Sequence, residues 1–187
     1  DVRQERGDTT TLVMAPQGHE GFRFTPGQFG WLTVWGSPFN ITGHPFAFSS
    51  SAEVSDGRFE MSIRNLGDCT RNIANIPVGQ RVYLDGPYGA FTLGNPADMH
   101  VLVAAGVGIT PMMSMLRTLA DQGDQRPALL LYGSKDWESI TFREELDALQ
   151  SRLNLQVVHV LSNPSSDWTG EKGFIDAEIF KRYLPPP

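Results

Sequence analysis

The run Ala104-Ala105-Gly106-Val107-Gly108-Ile109-Thr110-Pro111 ends an apolar stretch and opens a helical pattern. Glycine reaches backbone angles barred to other residues, and its missing side chain leaves room for a ligand. A helix starting behind such a turn points unpaired amides and the positive end of its dipole outward. A pyrophosphate is a natural guest there. The spacing is Gly-x-Gly-x-x-Pro, so the third glycine of the usual dinucleotide fingerprint is absent. A tight strand-to-helix turn with no ligand fits the same residues, and that alternative stays open on this segment alone.

A second segment, His44-Pro45-Phe46-Ala47-Phe48-Ser49-Ser50, lies in β-like sequence. An aromatic on a rigid strand offers a flat wall to a ring, worth about 0.5–1.5 kcal/mol beyond area burial. Phe46 is the candidate wall; the alternative makes Phe46 and Phe48 plain barrel core. A third segment, Arg64-Asn65-Leu66-Gly67-Asp68-Cys69-Thr70, runs from a charged strand end through a glycine turn. Thr70 is the expected N-cap of a short helix over 70–76. Guanidinium and helix N-terminus together would make a second anion site. Gly86-Pro87-Tyr88-Gly89 adds another tight turn. An aromatic wall and two anion sites in this order describe a flavin in one domain facing a pyridine nucleotide in the next.

Two kinds of element must position these residues. The first half reads as strands: a stretch around Val13, then 28–35, 45–50, 58–64 and 81–85. Phe59, Met61 and Ile63 alternate with Glu60, Ser62 and Arg64, the period of a half-buried strand. Asp56-Gly57 before them fits a hairpin turn. Short strands between Gly/Pro turns predict an antiparallel barrel. The second half changes period. Val101 to Ala105 is a continuous apolar run, as in a parallel strand buried on both faces. A helix follows with Thr110 as expected N-cap, Pro111 at its first position, Met112, Leu116 and Leu119 on one face, and Gly123 as its stop. A strand over 128–132 precedes a capping box, Thr141-Phe142-Arg143-Glu144, that opens a helix through Leu153. A strand over 155–161 and a last helix from Asp176, stapled by Ile175 and Phe180, complete a β-α-β-α-β-α order. That order predicts a parallel sheet, with the domain boundary near 94–96.

Bulk properties exclude several classes. With 187 residues the chain suits one or two domains, and a net charge of −6 opposes nucleic-acid binding. The single cysteine, Cys69, can form no internal disulfide, iron–sulfur cluster or thiolate zinc site, and fits a reducing, cytoplasmic setting. No apolar run approaches the ~18–20 residues of a membrane span, and the start is no signal peptide. The chain is expected to be soluble by itself. His19, His100 and His159 lack metal-ligand spacing, and Glu144-Glu145 reads as a solvated helix face.

The sequence resembles the ferredoxin–NADP reductase superfamily over nearly its whole length, and within it the dehydrogenase portion of the ferric reductase and NADPH oxidase branch. The matching residues are Pro26-Gly27-Gln28-Phe29, His-Pro-Phe-x-x-x-Ser at 44–50, and Ile63-Arg64 with Gly67-Asp68-x-Thr70. Gly86-Pro87-Tyr88-Gly89, the 106–111 turn, and Tyr132-Gly133-Ser134-Lys135 with Phe142-Arg143-Glu144-Glu145-Leu146 follow in family order. The resemblance implies a six-stranded Greek-key antiparallel β-barrel binding FAD over 1–95. A Rossmann-like α/β sheet binding NADPH or NADH over 96–187 would follow, lacking its final strand. It implies hydride transfer from nicotinamide C4 to flavin N5, then single electrons to haem in a transmembrane domain, on the cytoplasmic side of a membrane. Family members continue to a Cys-Gly-Pro strand and a terminal segment, so the chain is expected to be a piece of a longer protein.

By that resemblance Phe46 covers the isoalloxazine, with Pro45, Ser49 and Ser50 in the same segment. His44 and Arg64 face the FAD pyrophosphate, and Gly67, Cys69, Thr70 and Gly86 line it. Gly106, Gly108, Thr110 and Pro111 meet the nicotinamide nucleotide, and Ser134 and Lys135 its adenosine ribose, Lys135 leaning slightly to NADPH. The superfamily has Arg at position 44 and Ser or Thr at position 47, so His44 and Ala47 are departures. Chemistry of this kind needs no protein acid or base, so none is named, and no metal. Two alternatives remain: a soluble reductase for ferredoxin, flavodoxin or an oxygenase, and a flavin-binding electron-transfer subunit with no nicotinamide site.

Overall fold

The protein is described by a computed structural model covering residues 1–36, 43–54, 56–68, 70–94 and 97–184. Six strands form its first half: β1 (Val2–Glu5), β2 (Thr9–Met14), β3 (Phe29–Thr33), β4 (His44–Ala47), β5 (Phe59–Arg64) and β6 (Tyr83–Tyr88). They lie in two antiparallel three-stranded sheets, ordered β1-β2-β5 and β4-β3-β6, which Phe48 bridges by pairing with Met61. Leu12, Leu32, Phe48, Phe59, Met61 and Ile63 fill the space between them.

The period-two pattern of β5 holds, with Phe59, Met61 and Ile63 buried. Its polar face is not solvated. Ser62 is buried as well, and its Oγ bonds Thr11 Oγ1 at 2.7 Å and Ser49 Oγ at 2.9 Å. That face meets the second half of the chain.

The second half carries a parallel sheet in the order β10-β9-β8-β7, from β7 (His100–Ala105), β8 (Ala128–Ser134), β9 (Leu155–Leu161) and the short β10 (Glu171–Lys172). Helix α1 (Ile109–Asp121) and helix α2 (Arg143–Leu149) cover one face, and α3 (Ala177–Tyr183) packs with Leu129, Leu131 and Val160 on the other. Gly123, at φ +67°, ends α1 as expected. Asp176 caps α3 by accepting from the Glu178 and Ile179 amides, and Ile175 and Phe180 both pack against the cluster of Leu129, Leu131 and Val160.

Several sequence expectations change. β7 is buried on one face only: Val101, Val103 and Ala105 are exposed, because β7 is the sheet's edge and α3 lies over β8 and β9. The helix expected over 70–76 is a single 3-10 turn at Ile73–Asn75, without a side-chain cap. Thr70 instead accepts the Leu66 amide. Two asparagines, three β-branched residues and Pro77 leave too little helical propensity for a longer element. The capping box at 141–144 does not form. Thr141 Oγ1 donates to the Arg6 carbonyl, Phe142 takes a left-handed φ of +62°, and Glu144 turns to Arg6. A capping box forms at Asp136–Ser139 instead, and α2 ends at Leu149 before Leu153.

Candidate functional site

The parallel strands β7 and β8 end side by side, Ala105 opposite Gly133, at the edge where open α/β sheets bind ligands. The chain leaves β7 through a 3-10 turn, Gly106–Gly108, and enters α1 at Ile109. Gly106 sits at φ +51°, a left-handed angle that favours glycine. Gly108 does not: its φ is −61°, open to any residue. Its use is space, since a Cβ there would meet nothing within 4 Å at the mouth of α1. Thr110 is not the N-cap. It is buried in the first turn, and its Oγ1 donates to the Val107 and Ser62 carbonyls. Pro111 is the third helical residue, where no intrahelical partner for an amide exists anyway.

One group holds this turn and a second abuts it. Tyr132, fully buried at the end of β8, donates its hydroxyl to the Gly106 carbonyl at 3.2 Å. Burial pushes the Tyr132 phenol above its ordinary pKa, so it remains a donor. Arg64, at the end of β5, stands so close that a Cβ on Gly106 would lie 3.3 Å from its Nη1. The barrel's cation and the sheet's glycine turn therefore share one seam. Tyr132→Phe should remove the carbonyl's donor and cost about 1 kcal/mol of stability. Urea unfolding checks this, and an unchanged midpoint would show that the bond holds nothing.

Two buried polar atoms at this place have no hydrogen-bond partner among the described residues: Arg64 Nε and Ser134 Oγ. An unpaired buried donor is costly, so the donor-only Arg64 Nε points to a missing acceptor, while the Ser134 hydroxyl can donate or accept. A dinucleotide phosphate and its ribose supply acceptors of that kind, and the open space at Gly108 gives them room. The residues fit the groups that the sequence calls for. Lys135 is exposed just beyond, its carbonyl accepting the Asn163 amide.

The other candidates fall in three places. On β4, His44 and Pro45 are exposed, while Phe46 and Ala47 are half-buried opposite Gly30 and Phe29. Phe46 leans on the barrel core and Phe48 belongs to it. Ser49 and Ser50 are buried and already engaged, Ser49 Oγ by Ser62 and Ser50 Oγ by the Glu60 amide. Gly67 is exposed with open space around it, and Cys69 lies outside the described residues. Gly86, at φ +152°, lets β6 approach β3 so that a Cβ would sit 3.1 Å from Gly30 Cα.

The sequence reading missed one group altogether. Arg117 on α1 joins Glu145 of α2 to Glu60 and the Ser49 carbonyl of the barrel. Glu144 is exposed, as expected of a solvated face, but Glu145 is half-buried in this group. The signal was present as Thr110, Ser114 and Thr118, polar at helical spacing inside an otherwise apolar helix.

The fold and its seam define a class: a barrel and a parallel sheet that bring anion-binding groups to a common edge, as in two-domain flavin and pyridine-nucleotide oxidoreductases. Residues 2–92 match the FAD-binding domain family and residues 102–186 the oxidoreductase NAD-binding domain family. The chain is an FAD-binding domain followed by an oxidoreductase NAD-binding one, and its fold is that of the ferredoxin–NADP reductase superfamily. It is 36% identical over 73% of its length to NADH-cytochrome b5 reductase 1 of Laccaria bicolor, covering 46% of that protein. It is 37% identical over 74% of its length to cytochrome b5 reductase 4 of Danio rerio, covering 27% of it. The chain thus spans less than half the length of these relatives. The FAD/NAD-binding domain of Vibrio cholerae nitric oxide dioxygenase superposes with a TM-score of 0.83 at 23% identity, covering 100% of this chain and 80% of that one. The cytochrome b5 reductase domain of Ulva prolifera nitrate reductase gives 0.78 at 18%, covering 98% and 80%.

Proposed function

We propose that the chain is the reductase unit of an electron-transfer protein, moving reducing equivalents from NAD(P)H on the parallel sheet, through FAD on the barrel, to a one-electron haem-protein acceptor. The observation that carries it is Arg64 lodged against the Gly106 turn, a barrel cation and a sheet anion cradle at one seam. The relatives' names favour a cytochrome b5 type of acceptor. A haem-bearing membrane domain, with this unit on its cytoplasmic side, is the acceptor that the His44-Pro45-Phe46 segment favours. The division near residues 94–96 belongs to the same reading.

Bound FAD would accept hydride from the nicotinamide and release electrons one at a time. The protein's part is to bind and orient. Arg64 Nε and the open mouth of α1 receive phosphates, Tyr132 keeps the turn rigid, and Phe46 offers its face from β4. Holding reacting atoms about 3–3.5 Å apart is what such a site contributes. No proton has to be moved by a side chain.

The test is absorption spectroscopy of the purified chain with added FAD, followed by anaerobic NADH or NADPH and then cytochrome b5. A bound yellow chromophore that bleaches with either nucleotide and reduces the haem is expected. A protein that gains no chromophore ends this reading. The NADH and NADPH arms separate the relatives' NADH from the NADPH that Lys135 favours.

Ala47, half-buried beside Phe29, cannot donate the hydrogen bond that a hydroxyl would at that position. Ala47→Ser should speed flavin reduction by a few-fold, since a neutral hydrogen bond is worth about 0.5–1.5 kcal/mol. Stopped-flow reduction decides; an unchanged rate means that the hydroxyl is irrelevant here.

A further inference from the structure

Helix α1 carries two things at once. Its N-terminus follows the Gly106–Gly108 turn, and its flank bears a polar stripe: Thr110, Ser114, Arg117 and Thr118. At 100° per residue these four fall within an arc of about 100° and span about 12 Å of helix. Every member bonds the barrel's backbone. Thr110 Oγ1 donates to the Ser62 carbonyl at 3.2 Å and Ser114 Oγ to the Ser50 carbonyl at 2.8 Å. Arg117 Nη1 donates to the Ser49 carbonyl at 2.7 Å, and the Ala52 amide donates to Thr118 Oγ1 at 2.9 Å. The contacted segment, 49–52, begins two residues after Ala47.

Arg117 closes this seam. Its Nη1 also reaches Glu60 at 2.8 Å, while Nε and Nη2 clasp Glu145 at 2.6 and 2.7 Å. Burial opposes the charge, but Glu145 and Glu60 more than offset that and hold the guanidinium above its ordinary pKa. The Phe142 ring lies 5.3 Å below it. A cleft of about 620 Å³ opens beside it, lined by Arg3, Glu60, Arg117, Asp121, Glu145 and Arg152 among others. These charges are matched among themselves, Arg3 to Glu60 and Arg152 to Asp121, so the cleft offers no free ion to a ligand. Its residues serve the seam.

The geometry assigns to the α1 stripe, and to Arg117 above all, the role of positioning the barrel strand against the nucleotide turn, so that hydride donor and acceptor meet in register. The assignment rests on the proposed function. Its logic is that backbone bonds fix register without regard to barrel side chains. A misplacement of about 1 Å far from the chemistry can cost on the order of 10²-fold in rate. Arg117 touches no reacting atom and is a positioning residue.

The experiment uses the full chain and two readouts. In cofactor-free protein, amide hydrogen exchange of Ala52 should rise about tenfold in Thr118→Val and return to the wild-type rate in Thr118→Ser. With FAD and the preferred nucleotide, Arg117→Lys keeps the charge but loses the fork. Its flavin-reduction rate should fall about tenfold or more while the FAD and nucleotide dissociation constants stay within about twofold. If Arg117→Lys does not fold, Ser114→Ala replaces it, with a fall of about threefold expected for one lost bond. Unchanged reduction in the folded variant, or a rate loss matched by lost affinity, overturns the assignment. Unchanged Ala52 exchange in Thr118→Val overturns it without reference to activity. A wild type that neither nucleotide reduces overturns the proposed function instead, and the exchange result stands apart from it.

Discussion

Gly27→Ala is expected to cost about 3 kcal/mol of stability and lower the melting temperature by about 10 °C. Gly27 precedes β3 at φ +99°, where an L side chain is strained. A Cβ there would stand 2.1 Å from the Phe91 carbonyl oxygen and 2.5 Å from Met115 Cε. The methionine tail of α1 can swing away; the carbonyl cannot. Gln28 laces the same two segments, its Nε2 donating to the Gly89 carbonyl while its Oε1 accepts the Thr25 amide. Neither strand of backbone is therefore free to retreat. Left-handed strain and overpacking each cost about 1–3 kcal/mol, a large part of the roughly 5–15 kcal/mol that holds a domain together. Circular-dichroism melting measures it. Gly94→Ala, with open space around its Cβ, is the control and should shift the midpoint by no more than about 2 °C. Equal midpoints for the two variants would mean that the 27–91 contact is not a constraint.

The expectation for Gly27 also shows what could be read in advance. Periodicity places β5, because burial on one face leaves alternate residues apolar, as in Phe59, Met61 and Ile63, but it gives no sign of β1 or the two-residue β10. It could not tell what covers the other face. Glu60, Ser62 and Arg64 look solvated in sequence, yet each meets the second half of the chain: Glu60 through Arg117, Ser62 through Thr110 and Arg64 through Gly106. An interface between halves is built from polar groups bonded to backbone, and composition cannot separate that from a wet surface. The reverse error appears at β7. Val101 and Val103 read as doubly buried, but strand order decides burial and β7 lies at an edge. Caps failed where a competing partner was nearer. Thr110 turns to the Val107 and Ser62 carbonyls and Thr141 to the Arg6 carbonyl, the last two across more than 45 residues of sequence. The glycine turn was legible because its signal is local. Its neighbours, Tyr132 and Arg64, stand in recognisable motifs, but their meeting at Gly106 is a property of the fold.

Arg64→Ala should raise the FAD dissociation constant by about 10–100-fold, and His44→Ala by less than about threefold. Hydrogen bonds to a charged group are worth about 1.5–3 kcal/mol, and about 1.4 kcal/mol is tenfold in affinity. A guanidinium presents five donors in a rigid fork, whereas an imidazole presents at most two. The structure sharpens this contrast. His44 is exposed on β4, where water competes for every bond it makes. Arg64 is half-buried, with its Nε sealed from water and unpartnered among the described residues. A phosphate arriving there meets a donor that is already desolvated, so little is lost on binding. Arg64→Lys keeps a point charge but not the fork, and should recover only part of the affinity. Because Arg64 also abuts the Gly106 turn, Arg64→Ala should weaken the nicotinamide nucleotide as well, which no loss confined to the barrel would do. Flavin fluorescence titration of the variants, with NADH or NADPH titrated afterwards, reads both effects. A stronger loss in His44→Ala than in Arg64→Ala would place the phosphates on β4 and away from the seam.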